Sequence, residues 1–125
     1  MKDILFRFES NRPFAVYSYA TGHGLLLLRT IATNLRQSRI DVLFQDVRAM
    51  ELRCSWFDGI RIEETEDIQH LSEYASRPAE LMEPGIRIYK LLGSGWHGFV
   101  LGGIVSVAED QLGPRDPSPL LTPRE

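Results

Sequence analysis

The chain has 125 residues, of which 43% are hydrophobic and 25% charged, with a net charge of −3 and a single cysteine, Cys54. This is the size of one globular domain, and the composition excludes global disorder, a disulfide framework and a thiolate zinc cluster. The negative charge argues against nucleic acid as a partner, because phosphate affinity comes from clustered Lys and Arg, and no apolar run approaches the roughly 20 residues of a membrane helix.

The N-terminal stretch Met1 to Glu9 interrupts every short apolar run with a charge, so it does not form the apolar core of a secretory signal, and a cytoplasmic location is expected. Within it, Ile4–Phe8 reads as a strand, and Phe14–Ala20 as a second one, both rich in aromatic and β-branched residues. The turn-like Glu9-Ser10-Asn11-Arg12-Pro13 separates them. Thr21-Gly22-His23-Gly24 is a further turn, and Leu25–Leu28 suits either a buried strand or a buried helical turn.

Ile40-Asp41-Val42-Leu43-Phe44 alternates cleanly, which predicts a strand with Ile40, Val42 and Phe44 on one face. After Gln45-Asp46 the apolar parity changes, as at a bulge or tight turn. Met50–Cys54 leads to Trp56–Ile62, where Asp58-Gly59 carries the signature of a two-residue hairpin turn. A helix is expected near residues 65–77: Thr65 can cap it, Glu66 and Asp67 suit the dipole of its first turn, and Ile68, Leu71, Tyr74 and Ala75 share a face. Pro78 ends it.

Ile86–Leu92 alternates again, and Phe99–Leu101 with Ile104–Ala108 reads as a final strand pair around Gly102-Gly103. The expected fold is mainly β (α+β): a twisted antiparallel sheet or partial barrel of about eight to nine short strands with one helix. Residues 1–110 form the β-rich domain, and residues 111–125, with four prolines after Gln111, form a flexible tail.

Gly93-Ser94-Gly95-Trp96-His97-Gly98 matches the dinucleotide-binding string G-x-G-x-x-G, but a strand follows it where a helix N-terminus must hold the pyrophosphate. It reads as a glycine-rich turn, and no cofactor is expected. His23 and His97 both sit among glycines that would let an imidazole reach a ligand, yet no third or fourth metal ligand accompanies them, so no metal site is expected. His70 reads as a structural or exposed helix residue, and Cys54 lacks a readable activating partner. Asp41, Asp46, Glu51 and Asp58 read as solvated acids.

Charge is distributed unevenly: residues 1–40 carry +4, residues 41–83 carry −7, and the remainder is neutral. Twelve of the fourteen basic residues are Arg, a bias produced either by GC-rich coding or by carboxylate pairing. The acids gather at Glu63, Glu64, Glu66, Asp67 and Glu73, where they offer a surface for a basic partner, with Trp56 and Trp96 as aromatic anchors. The stretch Ile40–Ile62, with its Val42-x-Phe44-x-x-Val47 run, Leu52 and Gly59-Ile60-Arg61-Ile62, resembles small β-rich bacterial proteins, some of which are grouped as immunity proteins of polymorphic toxins.

That resemblance implies a non-enzymatic inhibitor of a basic protein. The leading expectation is therefore a protein-binding module without catalytic residues, bound through Glu63, Glu64, Glu66, Asp67, Trp56 and Trp96. A small-ligand protein or enzyme with a pocket near His23, His97 and Cys54 is one alternative. A homodimer or larger structural homo-oligomer, joined by sheet edges or exposed aromatics, is the other.

Overall fold

A computed structural model describes residues 5–32, 37–67 and 82–121. These residues form eight strands: β1 (Arg7–Ala20), β2 (Leu25–Thr30), β3 (Arg39–Phe44), β4 (Ala49–Glu51), β5 (Phe57–Thr65), β6 (Arg87–Gly93), β7 (Trp96–Gly102) and β8 (Val105–Asp110). They make a single antiparallel sheet in the order β4-β7-β6-β5-β1-β2-β3-β8. There is no helix among the described residues.

Two long stretches of chain bend sharply. β1 pairs with β5 from Arg7 to Phe14 and with β2 from Phe14 to Ala20, so one strand serves both halves of the sheet. At the far side β3 runs on into β4, and β7 into β8, and the two bent segments bond to each other at the corner. Gln45 N–H donates to Ile104 O at 2.9 Å, Gly103 N–H to Gln45 O at 2.7 Å and Arg48 N–H to Leu101 O at 2.8 Å. The sheet curls as a result, and both halves bury one face against a common core. Leu26, Leu28, Val42 and Phe44 from one half meet Ile60, Ile62, Tyr89, Leu91 and Val100 from the other.

The corner forces local conformations that the sequence only hints at. Asp46 adopts φ 57°, in the left-handed region that Asp tolerates better than most residues, and the parity change after Phe44 arises here. The β1–β2 turn presses onto the same corner: Gly24 has φ 58°, its carbonyl accepts Val47 N–H at 2.9 Å, and a Cβ on it would lie 2.7 Å from Val47 N.

Several expectations need correction. Residues 9–13 do not separate two strands, because β1 runs straight through them. The Ser10-to-Pro13 segment is a shift of register against β5, where proline's missing N–H does no harm. Asp58-Gly59 lies inside β5, with Gly59 at φ 73° opposite that irregularity, so the pair makes a bulge and not a hairpin turn. Glu63, Glu64 and Thr65 end β5, and Glu66 and Asp67 belong to no element, so the expected helix does not start where its cap was read. The remainder of that helix, including His70 and Glu73, lies outside the described residues. The leucine run is a strand, and Gly93–Gly98 is the β6–β7 hairpin with Gly95 at φ 78° in its turn.

The second face of the sheet is also partly covered. Around β6 and β7, Ile86, Ile88, Phe99 and Leu101 form a smaller buried cluster with Ala49 and Met82 against it. Over β2 and β3, the segment after β8 lies across the outer face up to Leu121, with Ser118 buried.

Candidate functional site

The acidic residues do not form one open surface. Glu63 and Glu64 are consecutive on a strand, so they point to opposite faces. Glu63 lies 3.4 Å from Arg61 and 3.6 Å from Arg7. Glu64 is tied on one side to Phe6 N–H at 3.0 Å and on the other to Arg87 at 3.2 Å, with its side chain only 8% exposed. Glu66 and Asp67 follow β5 and are exposed, and Asp67 N–H donates to Thr65 Oγ1 at 3.1 Å.

The aromatic anchors also part company. Trp56 is 55% exposed in the loop before β5. Trp96 is partly buried at the start of β7, where it packs on Phe57 with ring centroids 4.8 Å apart and folds across Gly93, so close that a Cβ there would meet its indole nitrogen. Only Trp56 stands free enough to anchor a partner.

His23 lies exposed in the β1–β2 turn and lines an open hollow with Gln45, Asp46 and Arg48. Arg48 binds Asp46 at 3.0 Å and Glu83 at 2.8 Å; its hydrogen bond and charge hold the Asp46 carboxyl below the usual carboxylate range. His97 sits near the opposite end of β7, five residues before Gly102, or roughly 17 Å along the strand. Cys54 is exposed in the β4–β5 loop. The structure therefore does not gather His23, His97 and Cys54 around one pocket. Among the described residues, no group of three or more His, Cys, Asp and Glu is placed to hold a metal ion, and no helix is long and apolar enough to cross a membrane.

The best-built polar cluster centres on Asp41, which is not the solvated acid expected but fully buried, because arginines pair with it. Arg29 on β2 and Asp41 on β3 are directly paired across the strands. Arg29 Nε lies 2.7 Å from Asp41 Oδ1, with side chains 3% and 0% exposed. Arg39 approaches the other oxygen of Asp41 at 3.7 Å and holds Asp110 at 3.1 Å. Two guanidinium groups thus face two carboxylates. Burial works against the charge on Arg29, but the hydrogen bond and charge of Asp41 outweigh it and leave the Arg29 pKa raised.

The remaining guanidinium N–H groups fasten the Pro-rich segment. Arg29 donates to Pro114 O at 2.9 Å, and Arg39 donates to Gly113 O and Asp116 O at 2.7 Å and to Pro117 O at 3.1 Å. Four main-chain carbonyls of an otherwise irregular segment are bound to one ion cluster. Residues 122–125 lie outside the described residues.

Beside this cluster runs the open part of β1. The Tyr17 ring lies over the Arg29 guanidinium, 3.9 Å from its carbon to the ring centroid, which is close cation–π geometry. From Ala15 to Ala20, β1 pairs with β2 on one side, and no described strand pairs with the other side. The segment Ala15-Val16-Tyr17-Ser18-Tyr19-Ala20 contains no charge, and Tyr17 and Tyr19 are 46% and 40% exposed. A hollow of about 350 Å³ lined by Ala15, Val16, Tyr17, Ile31 and Pro114 flanks it.

The outward backbone groups follow from the ladder. Pro13 O accepts Ile31 N–H, so alternation turns Ala15 toward β2 and Val16 outward. Register then shifts between Val16 and Ser18, which makes Tyr17 the extra residue of a bulge and Tyr19 the next residue to face outward. Compared with protein-family models, curated proteins and solved structures, the chain matches none.

Proposed function

We propose that this protein is a non-enzymatic protein-binding module that engages its partner by strand addition along the open edge of β1. The observation that carries this reading is the uncharged run Ala15–Ala20, which has strand pairing on one side only and two exposed tyrosines. Unpaired strand backbone is a ready template for another chain, and main-chain bonding of this kind supplies affinity while flanking hollows supply selectivity. Tyr17 and Tyr19 are suited to such a contact because their rings combine a large apolar area with a polar tip.

An inhibitor of a basic toxin, the specific form implied by the resemblance, asks for a free acidic surface. Glu63 and Glu64 already have arginine partners and point to opposite faces of β5, so they do not offer such a surface. The contact is therefore assigned to β1.

Tyr19→Pro tests the reading, because it deletes an outward N–H and leaves the bonds to β2 in place. Tagged wild type, Tyr19→Pro and the double variant Glu66→Lys/Asp67→Lys are compared in capture from the host's lysate. A protein retained by wild type and by the double variant but lost from Tyr19→Pro supports strand addition. One lost from the double variant and kept by Tyr19→Pro contradicts it in favour of the acids.

A further inference from the structure

We infer that the open edge of β1 binds a second copy of this chain, antiparallel, across a two-fold axis between Tyr17 and Ser18; this rests on the strand-addition reading above. Among the described residues, the open edges of the sheet include β4, β8 and the Ala15–Ala20 part of β1. β4 offers only Ala49–Glu51, and β8 ends in the charged pair Glu109 and Asp110. Short length and edge charges are the devices by which sheets avoid pairing. The Ala15–Ala20 edge is longer than the first and lacks the charges of the second.

The bulge selects the occupant. Because Tyr17 is an extra residue, the outward groups of Val16 and Tyr19 are three residues apart, whereas a regular strand presents its groups every second residue. A regular strand laid against this edge can match Val16 or Tyr19 but falls out of step at the other. A second copy has the same three-residue spacing. In the antiparallel two-fold arrangement, Val16 meets Tyr19 of the second copy, Tyr19 meets Val16 of the second copy, and the two bulges lie opposite each other at the axis. Each Val–Tyr pair is an aromatic to β-branched cross-strand contact, one of the favoured kinds, and no like charges are brought together. A two-fold contact of this sort closes on itself and yields a dimer, not a fibre.

The test is sedimentation equilibrium of the full chain from low micromolar to near-millimolar concentration. Wild type is expected to approach twice the chain mass of 14.3 kDa. Ser18 is exposed and beside the axis, so Ser18→Lys and Ser18→Glu place like charges close together and should each give a monomer with an unchanged thermal melt. Mixing the two variants should restore the dimer, which shows that each is folded. A wild-type chain that stays monomeric overturns the inference, as does a dimer that neither variant weakens. Loss of lysate capture by Tyr19→Pro reads the strand-addition proposal separately, so a monomer that still loses a partner on this substitution overturns only the second-copy assignment.

Discussion

Arg29 and Asp41 face each other across β2 and β3 on the side of the sheet away from the main core, with Nε and Oδ1 2.7 Å apart and both side chains buried. Breaking a buried pair strands the other charge, so Asp41→Ala should lower stability by about 3–5 kcal/mol, a large share of the whole for a domain of this size. Glu63→Gln, at a half-open pair, should change it by less than about 1 kcal/mol. Urea denaturation of the two variants measures the contrast.

Arg39→Lys keeps the charge and loses the fork that reaches three carbonyls and Asp110 together. The expected loss is about 1–3 kcal/mol, felt first as release of the segment after β8. Arg115 lies exposed in that segment, so limited trypsin digestion should cut there faster in the variant than in wild type.

Tyr89 gives the clearest dependence on pH. Its hydroxyl donates to Gly103 O at 2.6 Å, and burial, aided by the charge of Glu64, raises its pKa to about 12. The folded chain therefore keeps this proton after the unfolded chain begins to lose it, near pH 10. Stability from Tyr89 is complete below about pH 10 and falls as pH rises toward 12, by up to about 2–3 kcal/mol. Tyr89→Phe should flatten that part of the profile in denaturation measured across the range.

Gly24 fixes how the β1–β2 turn meets the β3–β4 corner. Gly24→Ala adds a Cβ 2.7 Å from Val47 N at a φ of 58°, and neither the turn nor the corner can yield without losing the Val47-to-Gly24 bond. The expected cost is about 1–3 kcal/mol, read as a lowered midpoint of thermal unfolding.

Strands whose residues alternate in polarity were legible in the sequence: β3, β6, β7 and β8 lie close to where the pattern puts them. Their pairing was not: β7 pairs with β6 and β4, and β8 with β3, so the expected pairing of Phe99–Leu101 with Ile104–Ala108 does not form. β1 was not legible as one strand, because Ser10–Pro13 carries turn residues and those same residues also suit a register shift in a paired strand. Asp58-Gly59 misleads in the same way, since the positive φ that makes it a turn signal equally serves a bulge. Thr65 reads as a helix cap from its neighbours alone, whereas it closes β5, which runs on through Glu63 and Glu64.

The ion cluster was hidden for a different reason. Arg29 and Asp41 are twelve residues apart and each looks like an ordinary solvated charge. A signal was present: once the leucine run and Ile40–Phe44 are laid antiparallel with Leu27 opposite Leu43, Arg29 falls opposite Asp41. The free edge of β1 depends on which strands pair with which, and strand order is a long-range property that local alternation does not encode.

Amide hydrogen exchange at Val16 and Tyr19 reads the pairing of two β1 edges directly, because these two N–H groups face out of the sheet. Protection that rises with protein concentration at both sites, and that disappears in Ser18→Lys, is the predicted result. Exchange at the rate of open amides at every concentration would mean that the β1 edge stays unpaired and that no second copy binds there.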